Sequence, residues 1–87
     1  MTDETHLDGN ALGRPLLEFF GQEMTHARGC CDSCGTVHQL GEMLVYRGAG
    51  DVMRCPTCSN VVFVVATTGE RTRVYLSAVR WLEPAAR

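Results

Sequence analysis

Lysine is absent from this 87-residue chain. All eight basic residues are arginines, ten residues are acidic, and the formal net charge is −2. A protein dedicated to nucleic-acid binding normally has a clearly basic surface, because its affinity comes largely from phosphate contacts. The overall charge therefore argues against stand-alone nucleic-acid binding, although arginines can still cluster locally.

Long apolar segments are absent as well. The longest apolar run, residues 61–66, has six residues, whereas a helix that crosses a bilayer needs about twenty. Residues 1–8 are acidic and polar, without the apolar stretch of a secretory signal. These absences predict a soluble cytoplasmic protein with no membrane contact, in a compartment that keeps thiols reduced.

No catalytic constellation is readable in the sequence. There is no Ser-His-Asp arrangement, no phosphate-binding loop and no pair of carboxylates that would line a cleft. The length allows a single domain, and a chain this short leaves little room for a substrate pocket. We therefore expect that the protein is not an enzyme.

Five cysteines stand out against this background. Four form two C-x2-C pairs, Cys31 with Cys34 and Cys55 with Cys58, and twenty residues separate the pairs. Each C-x2-C turn brings two thiolates to one edge of a tetrahedron, and Gly35 relieves the tight turn that follows the first pair. Two such edges make a closed four-sulfur site. The spacing predicts one structural Zn²⁺ ion held by these four cysteines in a zinc ribbon.

Other uses of the cysteines are less consistent with the sequence. Reduced cytoplasmic thiols disfavour disulfides. A thioredoxin-like pair would open a helix after a strand, whereas Cys58 leads directly into a valine-rich segment. A four-sulfur site can also hold iron, which the sequence does not exclude.

The fifth cysteine and the histidines are left outside the predicted site. Cys30 could replace Cys31 through a C-x3-C turn, but Cys31 fits the knuckle better. Cys30 is therefore expected to be a spare buried thiol, with a redox or ligand role left open. His26 and Cys30 match the first part of an H-x3-C-x2-C zinc motif, but its last cysteine is replaced by Ser33. His6, His26 and His38 are therefore expected to be solvated.

The pattern along the chain predicts a mainly antiparallel β fold with a short N-terminal helix and rubredoxin-like zinc knuckles. Residues 1–7 are expected to form a flexible tail, residues 8–82 a single zinc-ribbon domain with a helix at about 13–21, and residues 83–87 a frayed C-terminus. Pro15 fits the first turn of that helix, and Gly21 fits its end.

Short strands are predicted after the helix. Segments 24–28 and 42–47 flank the first cysteine pair, a turn at 48–51 leads to a strand at 52–54, and the second pair follows. Each half of the domain thus has a strand, a cysteine turn and a returning strand. The apolar segment 60–66 is expected to be a central strand covered on both faces, and a hairpin turn at 68–70 leads into a strand at 72–76.

Alternation along that returning strand predicts one inward and one outward face. Thr72, Val74 and Leu76 are expected to point inward, and the outward row is Arg71, Arg73 and Tyr75. This row, with Arg80 and Trp81, is the candidate surface for a protein partner. The same arginines and tyrosine could contact single-stranded nucleic acid by stacking, which is the alternative function. A thiol-based redox switch that releases zinc is a further alternative.

The run Leu7-Asp-Gly-Asn-Ala-Leu12, followed by Pro15-Leu16 and the two cysteine pairs, resembles an uncharacterised family of small actinobacterial zinc-ribbon proteins. The resemblance covers nearly the whole chain. It implies a zinc-ribbon fold with an N-terminal helix and no established activity. A looser similarity is to the zinc domain of hydrogenase nickel-insertion chaperones, but those proteins bind nickel through an N-terminal Met-His, and this chain begins Met1-Thr2.

Overall fold

The computed structural model describes residues 7–85. This part of the chain contains one α-helix, α1 (Gly13–Phe20), and eight strands, all of whose pairings are antiparallel. The strands are β1 (Leu7–Asp8), β2 (Arg28–Cys31), β3 (Val37–Gln39), β4 (Leu44–Tyr46), β5 (Asp51–Arg54), β6 (Val61–Thr68), β7 (Arg71–Leu76) and β8 (Val79–Glu83). A five-stranded sheet has the order β1-β4-β5-β6-β7, and a three-stranded sheet has the order β3-β2-β8.

Local signals account for the helical segment. The Asp8 carboxylate accepts the Asn10 N–H at 3.2 Å and caps a 3₁₀ turn, Gly9–Leu12, that leads into α1. The helix ends where Gly21 adopts a left-handed conformation, φ 75°, and donates its N–H to the Leu17 carbonyl. Strand β1 starts at Leu7, the last residue of the predicted tail. Strand β8 continues to Glu83, the first residue of the predicted frayed C-terminus. The rest of the tail and residues 86–87 lie outside the described residues.

The predicted strand over residues 24–28 is wrong. The Glu23 carboxylate accepts the backbone N–H of Thr25 at 2.7 Å and that of His26 at 3.4 Å. These bonds, together with one from the Ala27 N–H to the Met24 carbonyl, form a turn instead. Strand β2 therefore begins only at Arg28. The strand predicted over 42–47 is shorter than expected, because residues Leu40–Glu42 form a 3₁₀ turn.

The hydrophobic core lies between α1, the 3₁₀ turns and the two sheets. Its largest buried side chains are Phe63, Leu12, Leu16, Met24, Leu40, Met43 and Met53. Burial of one such side chain stabilises the fold by roughly 1.5–3 kcal/mol. Strand β6 lies between β5 and β7. Its neighbouring residues Val62 and Phe63, which point to opposite faces, are both buried, whereas Val64 and Ala66 further along are only half-buried. The prediction of a strand covered on both faces thus holds only for the first part of β6.

The hairpin between β6 and β7 is confirmed, with a two-residue loop in which Gly69 has φ 62°. The predicted inward face of β7 is only partly correct. Val74 packs against the core, but Leu76 is 63% exposed. The physical reason is position in the sheet, because β7 is an edge strand and no further strand of the described residues lies beyond it.

Candidate metal centre

The first cysteine pair lies in the hairpin that joins β2 to β3. The Cys31 N–H donates to the Thr36 carbonyl at 2.9 Å, and the Gly35 N–H donates to the Cys31 carbonyl at 2.8 Å. These two bonds close a tight turn that brings Cys34 back beside Cys31. Gly35 is left-handed, φ 80°, a conformation that glycine adopts without steric cost, so it fits the tight turn expected here.

The second pair repeats this turn in the hairpin that joins β5 to β6. The Cys55 N–H donates to the Asn60 carbonyl at 2.9 Å, and the Ser59 N–H donates to the Cys55 carbonyl at 2.8 Å. Ser59 stands where Gly35 stands in the first turn and has φ 67°, the only described non-glycine residue with a positive φ. Both halves thus have a strand, a cysteine turn and a returning strand, but the returning strand of the first half is β3, which was not predicted, and the predicted segment 42–47 pairs with β1 and β5 instead. The two turns are hereafter called the first and second knuckle.

The two knuckles bring four sulfur atoms together. The Sγ atoms of Cys31, Cys34, Cys55 and Cys58 all lie within 4.8 Å of one another. The Cys31–Cys58 and Cys34–Cys55 sulfur distances are each 3.7 Å, and all four thiols are free of disulfides. A tetrahedron with metal–sulfur distances of about 2.3 Å has edges of about 3.8 Å. The donor set therefore has the spacing of a four-thiolate metal site, and no group has to move far to bind an ion.

The sulfurs differ in how far they are exposed. Cys31 and Cys55, the first residue of each knuckle, are buried in the core, whereas Cys34 is exposed and Cys58 is intermediate. The centre therefore lies at the surface end of the core, between the three-stranded and the five-stranded sheet. Each sheet contributes one knuckle.

Hydrogen bonds to sulfur shift the thiol pKa values in different directions. The side chain and backbone N–H of Thr36 lower the pKa of Cys34. For Cys55, burial raises the pKa, but bonds from the backbones of Cys58 and Thr57 and from the Thr36 hydroxyl outweigh it and lower the pKa to about 6.

Cys58 has the opposite shift. A bond from the Asn60 backbone lowers its pKa, but burial and the neighbouring sulfurs outweigh that bond and raise the pKa to about 11. Four thiols at this distance do not ionise together without a cation, because their negative charges repel one another.

Three residues near the sulfurs, Thr36, Thr57 and His38, were not predicted from the sequence to support the site. The Thr36 hydroxyl lies 3.0 Å from the Cys34 sulfur and 3.6 Å from the Cys55 sulfur, so it contacts both knuckles. The Thr57 N–H donates to the Cys55 sulfur at 3.4 Å, and the Thr57 hydroxyl lies 2.9 Å from His38 Nε2. Position just after or within a knuckle is the only sequence signal for these residues, and it does not reveal which sulfur each would contact.

The residues that were set aside lie apart from the four-sulfur cluster. Cys30 is 5% exposed, and its thiol points toward the carbonyl oxygens of Gly35, at 3.7 Å, and Cys31, at 3.8 Å. His26 is exposed beside Glu23. Hydrogen bonds from Thr25 and His26 lower the pKa of the Glu23 carboxyl to about 2. His38 is not fully solvated as expected but half-buried, because it contacts the second knuckle. His6 lies outside the described residues.

The predicted surface row is divided between the two sheets. Arg71, Arg73 and Tyr75 share the solvent face of β7, and all three are exposed. Arg80 and Trp81 belong to β8 in the other sheet, where Arg80 pairs with Asp32 and Trp81 lies opposite Cys30 in the register. Arg80 and Trp81 therefore do not continue the β7 row along one sheet, because β8 pairs with β2 rather than with β7.

Comparisons with known proteins give one match. The chain belongs to DUF6510, a family of unknown function, whose model matches residues 3–87. No curated protein and no solved structure matches the chain. Within residues 7–85, no helix combines the length and the apolar character that crossing a membrane requires.

Proposed function

We propose that this member of the DUF6510 family is a non-enzymatic zinc-ribbon module, in which one structural Zn²⁺ bound by Cys31, Cys34, Cys55 and Cys58 supports a sheet that binds a protein partner in the cytoplasm. The observation that carries the proposal is the meeting of four sulfurs from two separate knuckles at the spacing of a tetrahedral site. The family resemblance that motivates the zinc ribbon also suggests an actinobacterial source.

A structural role follows from the number and origin of the ligands. Four thiolates complete the coordination of zinc, so no position is left for a water molecule or a substrate. The first knuckle belongs to the three-stranded sheet and the second to the five-stranded sheet. An ion bound by both knuckles joins the two sheets, and loss of the ion frees them from each other.

The magnitude of zinc binding supports this role. Small zinc-binding peptides gain on the order of 10–16 kcal/mol from the ion at neutral pH. The whole stability of a domain is roughly 5–15 kcal/mol, and a core of this size contributes the lower part of that range. We therefore expect folding to depend on the metal.

The test is metal removal from the full chain. Elemental analysis of the purified protein should find one zinc per chain, and iron in its place would contradict the choice of ion. Treatment with a strong chelator, or replacement of both Cys31 and Cys55 by serine, should collapse the dispersion of the amide NMR spectrum. Cys30→Ser is the matched control and should keep both zinc and dispersion. A native spectrum without bound metal would refute the structural role.

A second candidate function is binding of single-stranded nucleic acid. One row of side chains crosses four strands on the solvent face of the five-stranded sheet: Tyr46, Val52, Val64 and Tyr75. Arg54 lies 5.7 Å from the ring centre of Tyr46, and Arg73 and Tyr75 are two residues apart on the same face of β7. Aromatic and arginine groups on a sheet suit base stacking. A fluorescence titration with oligo-U and oligo-dT at low salt tests it, and absence of binding removes it.

A further inference from the structure

Strand β7 is the last strand of the five-stranded sheet, so its outer backbone groups have no partner strand in the described part of the chain, and helix α1 approaches the same strand. The Ser77 N–H donates to the Val62 carbonyl at 2.9 Å, and the register from there back to Arg71 has no break. Since backbone groups alternate in direction along an antiparallel strand, those of Thr72, Val74 and Leu76 point away from β6. Within residues 7–85, no other strand pairs with this edge.

The solvent face of β7 has two arginines without an acidic partner. Arg71 and Arg73 are two residues apart, exposed and on the same face. Neither takes part in an ion pair among the described residues, in contrast to three other arginines: Arg28 pairs with Glu83, Arg47 with Asp51 and Arg80 with Asp32. Beside the two guanidinium groups is a recess of about 250 Å³ whose floor includes Ala66 and Thr68. The recess therefore lies on the solvent face toward β6, and the two guanidinium groups form a positive strip along β7.

The other face of the same edge is apolar. Leu76 lies on the core side of β7 in the register, where it pairs with the buried Phe63, but 63% of it is exposed. Val74, on the same side, is half-buried against the core. A further strand beside β7 would cover Leu76 with its own inward side chains, so this edge is apolar on one face and positive on the other.

We propose that a protein partner adds an extended acidic segment along β7 as a sixth strand. The proposal rests on the function proposed above and names the partner's chemistry. The backbone of the segment bonds to the free groups of Thr72, Val74 and Leu76. Its carboxylates, at alternate positions on one face, meet Arg71 and Arg73, since cross-strand neighbours lie about 5 Å apart. The apolar side chains between them lie over Leu76.

Charge selects this occupant over a second copy of the chain. Two β7 edges that pair with each other would bring the exposed arginines of both copies onto adjacent strands, and like charges in such positions are destabilising. A segment with acidic residues at every second position has the complementary charge. Its alternating apolar residues match the one exposed leucine of the edge.

The probe is a nine-residue fluorescent peptide with glutamate at alternate positions and valine between, titrated into the zinc-loaded full chain. Binding is followed by anisotropy at low and moderate salt. We expect Arg71→Ser with Arg73→Ser to weaken binding at least tenfold, whereas Arg14→Ser, an exposed arginine on α1, leaves it unchanged. A peptide with lysine in place of glutamate should not bind.

Backbone pairing is tested on the peptide, so that protein folding is not at risk. Methylation of alternate amide nitrogens on the edge-facing side should abolish binding, and methylation of the others should not. The proposal is overturned if the lysine peptide binds as tightly as the glutamate peptide, or if methylation has no effect on binding. It is also overturned if the glutamate peptide does not bind while oligo-U does, and the Arg71 and Arg73 substitutions weaken oligo-U binding. If the peptide fails but zinc removal still unfolds the chain, only this inference is lost. If the chain folds without zinc, the structural-zinc proposal is lost whatever the peptide does.

Discussion

The two knuckles differ at one equivalent position, and this difference predicts opposite effects of exchanging serine and glycine there. Gly35 and Ser59 have φ of 80° and 67°, and each donates its N–H to the first cysteine of its knuckle. A left-handed conformation costs a non-glycine residue roughly 1–2 kcal/mol. Glycine avoids that cost but has more backbone freedom to lose on folding, worth roughly 0.5–1 kcal/mol. Ser59→Gly should therefore raise the free energy of unfolding by about 0.5–1 kcal/mol.

The reverse exchange, Gly35→Ser, should lower the free energy of unfolding by a similar amount. A Cβ at Gly35 would meet no atom within 4 Å, so the effect of Gly35→Ser is conformational rather than steric. Because folding and zinc binding are expected to be linked, the same changes should appear as shifts of about two- to fivefold in zinc affinity. Urea unfolding of the zinc-loaded protein and competition against a chelator measure the two quantities separately.

Ser33 is the control for this pair, because it is exposed in the first knuckle and does not have a positive φ. Ser33→Gly should give no gain in stability. The reasoning fails if Ser59→Gly is destabilising, or if Ser59→Gly and Gly35→Ser change stability in the same direction.

Three other predictions concern residues around the site and the core. Thr36→Val removes a hydroxyl that contacts sulfurs of both knuckles, and it should weaken zinc binding about tenfold in chelator competition; an unchanged affinity would mean that the hydroxyl does not support the site. Gly9→Ala places a Cβ 1.7 Å from the Leu40 carbonyl oxygen and should cost about 3 kcal/mol in urea unfolding. Gly48→Ala, whose Cβ would be 3.8 Å from its nearest neighbour, should have little effect. Cys30→Ser should leave the rate of zinc release under mild peroxide unchanged, because the buried thiol points to carbonyl oxygens; slower release would support the redox switch.

The knuckles show how much of the site was predictable. A C-x2-C turn is local, so the pairing of Cys31 with Cys34 and of Cys55 with Cys58 follows from a few adjacent residues. The conclusion that the two pairs meet depended on the chemistry of zinc rather than on any contact visible in the sequence. The contacts of Thr36 with both knuckles were not predictable, since they join residues that approach only when the two hairpins pack.

Strand β7 shows what alternation along the sequence cannot predict. Alternation correctly separated the arginine face from the valine face, because side-chain direction along a strand has a period of two. It wrongly placed Leu76 in the core, since alternation does not say whether a strand end is covered. For the same reason Arg80 and Trp81 were grouped with β7, although they pair with the other sheet.

The sequence by itself determined the four cysteines, the two tight turns that present them, and the hairpin at Gly69, because each depends on the chemistry of neighbouring residues. Only the tertiary structure decided that the knuckles belong to different sheets, that Leu76 is exposed, and that β7 is left as an edge. Those outcomes depend on which distant strands pair, and pairing is decided by the joint burial of many side chains rather than by any one local pattern.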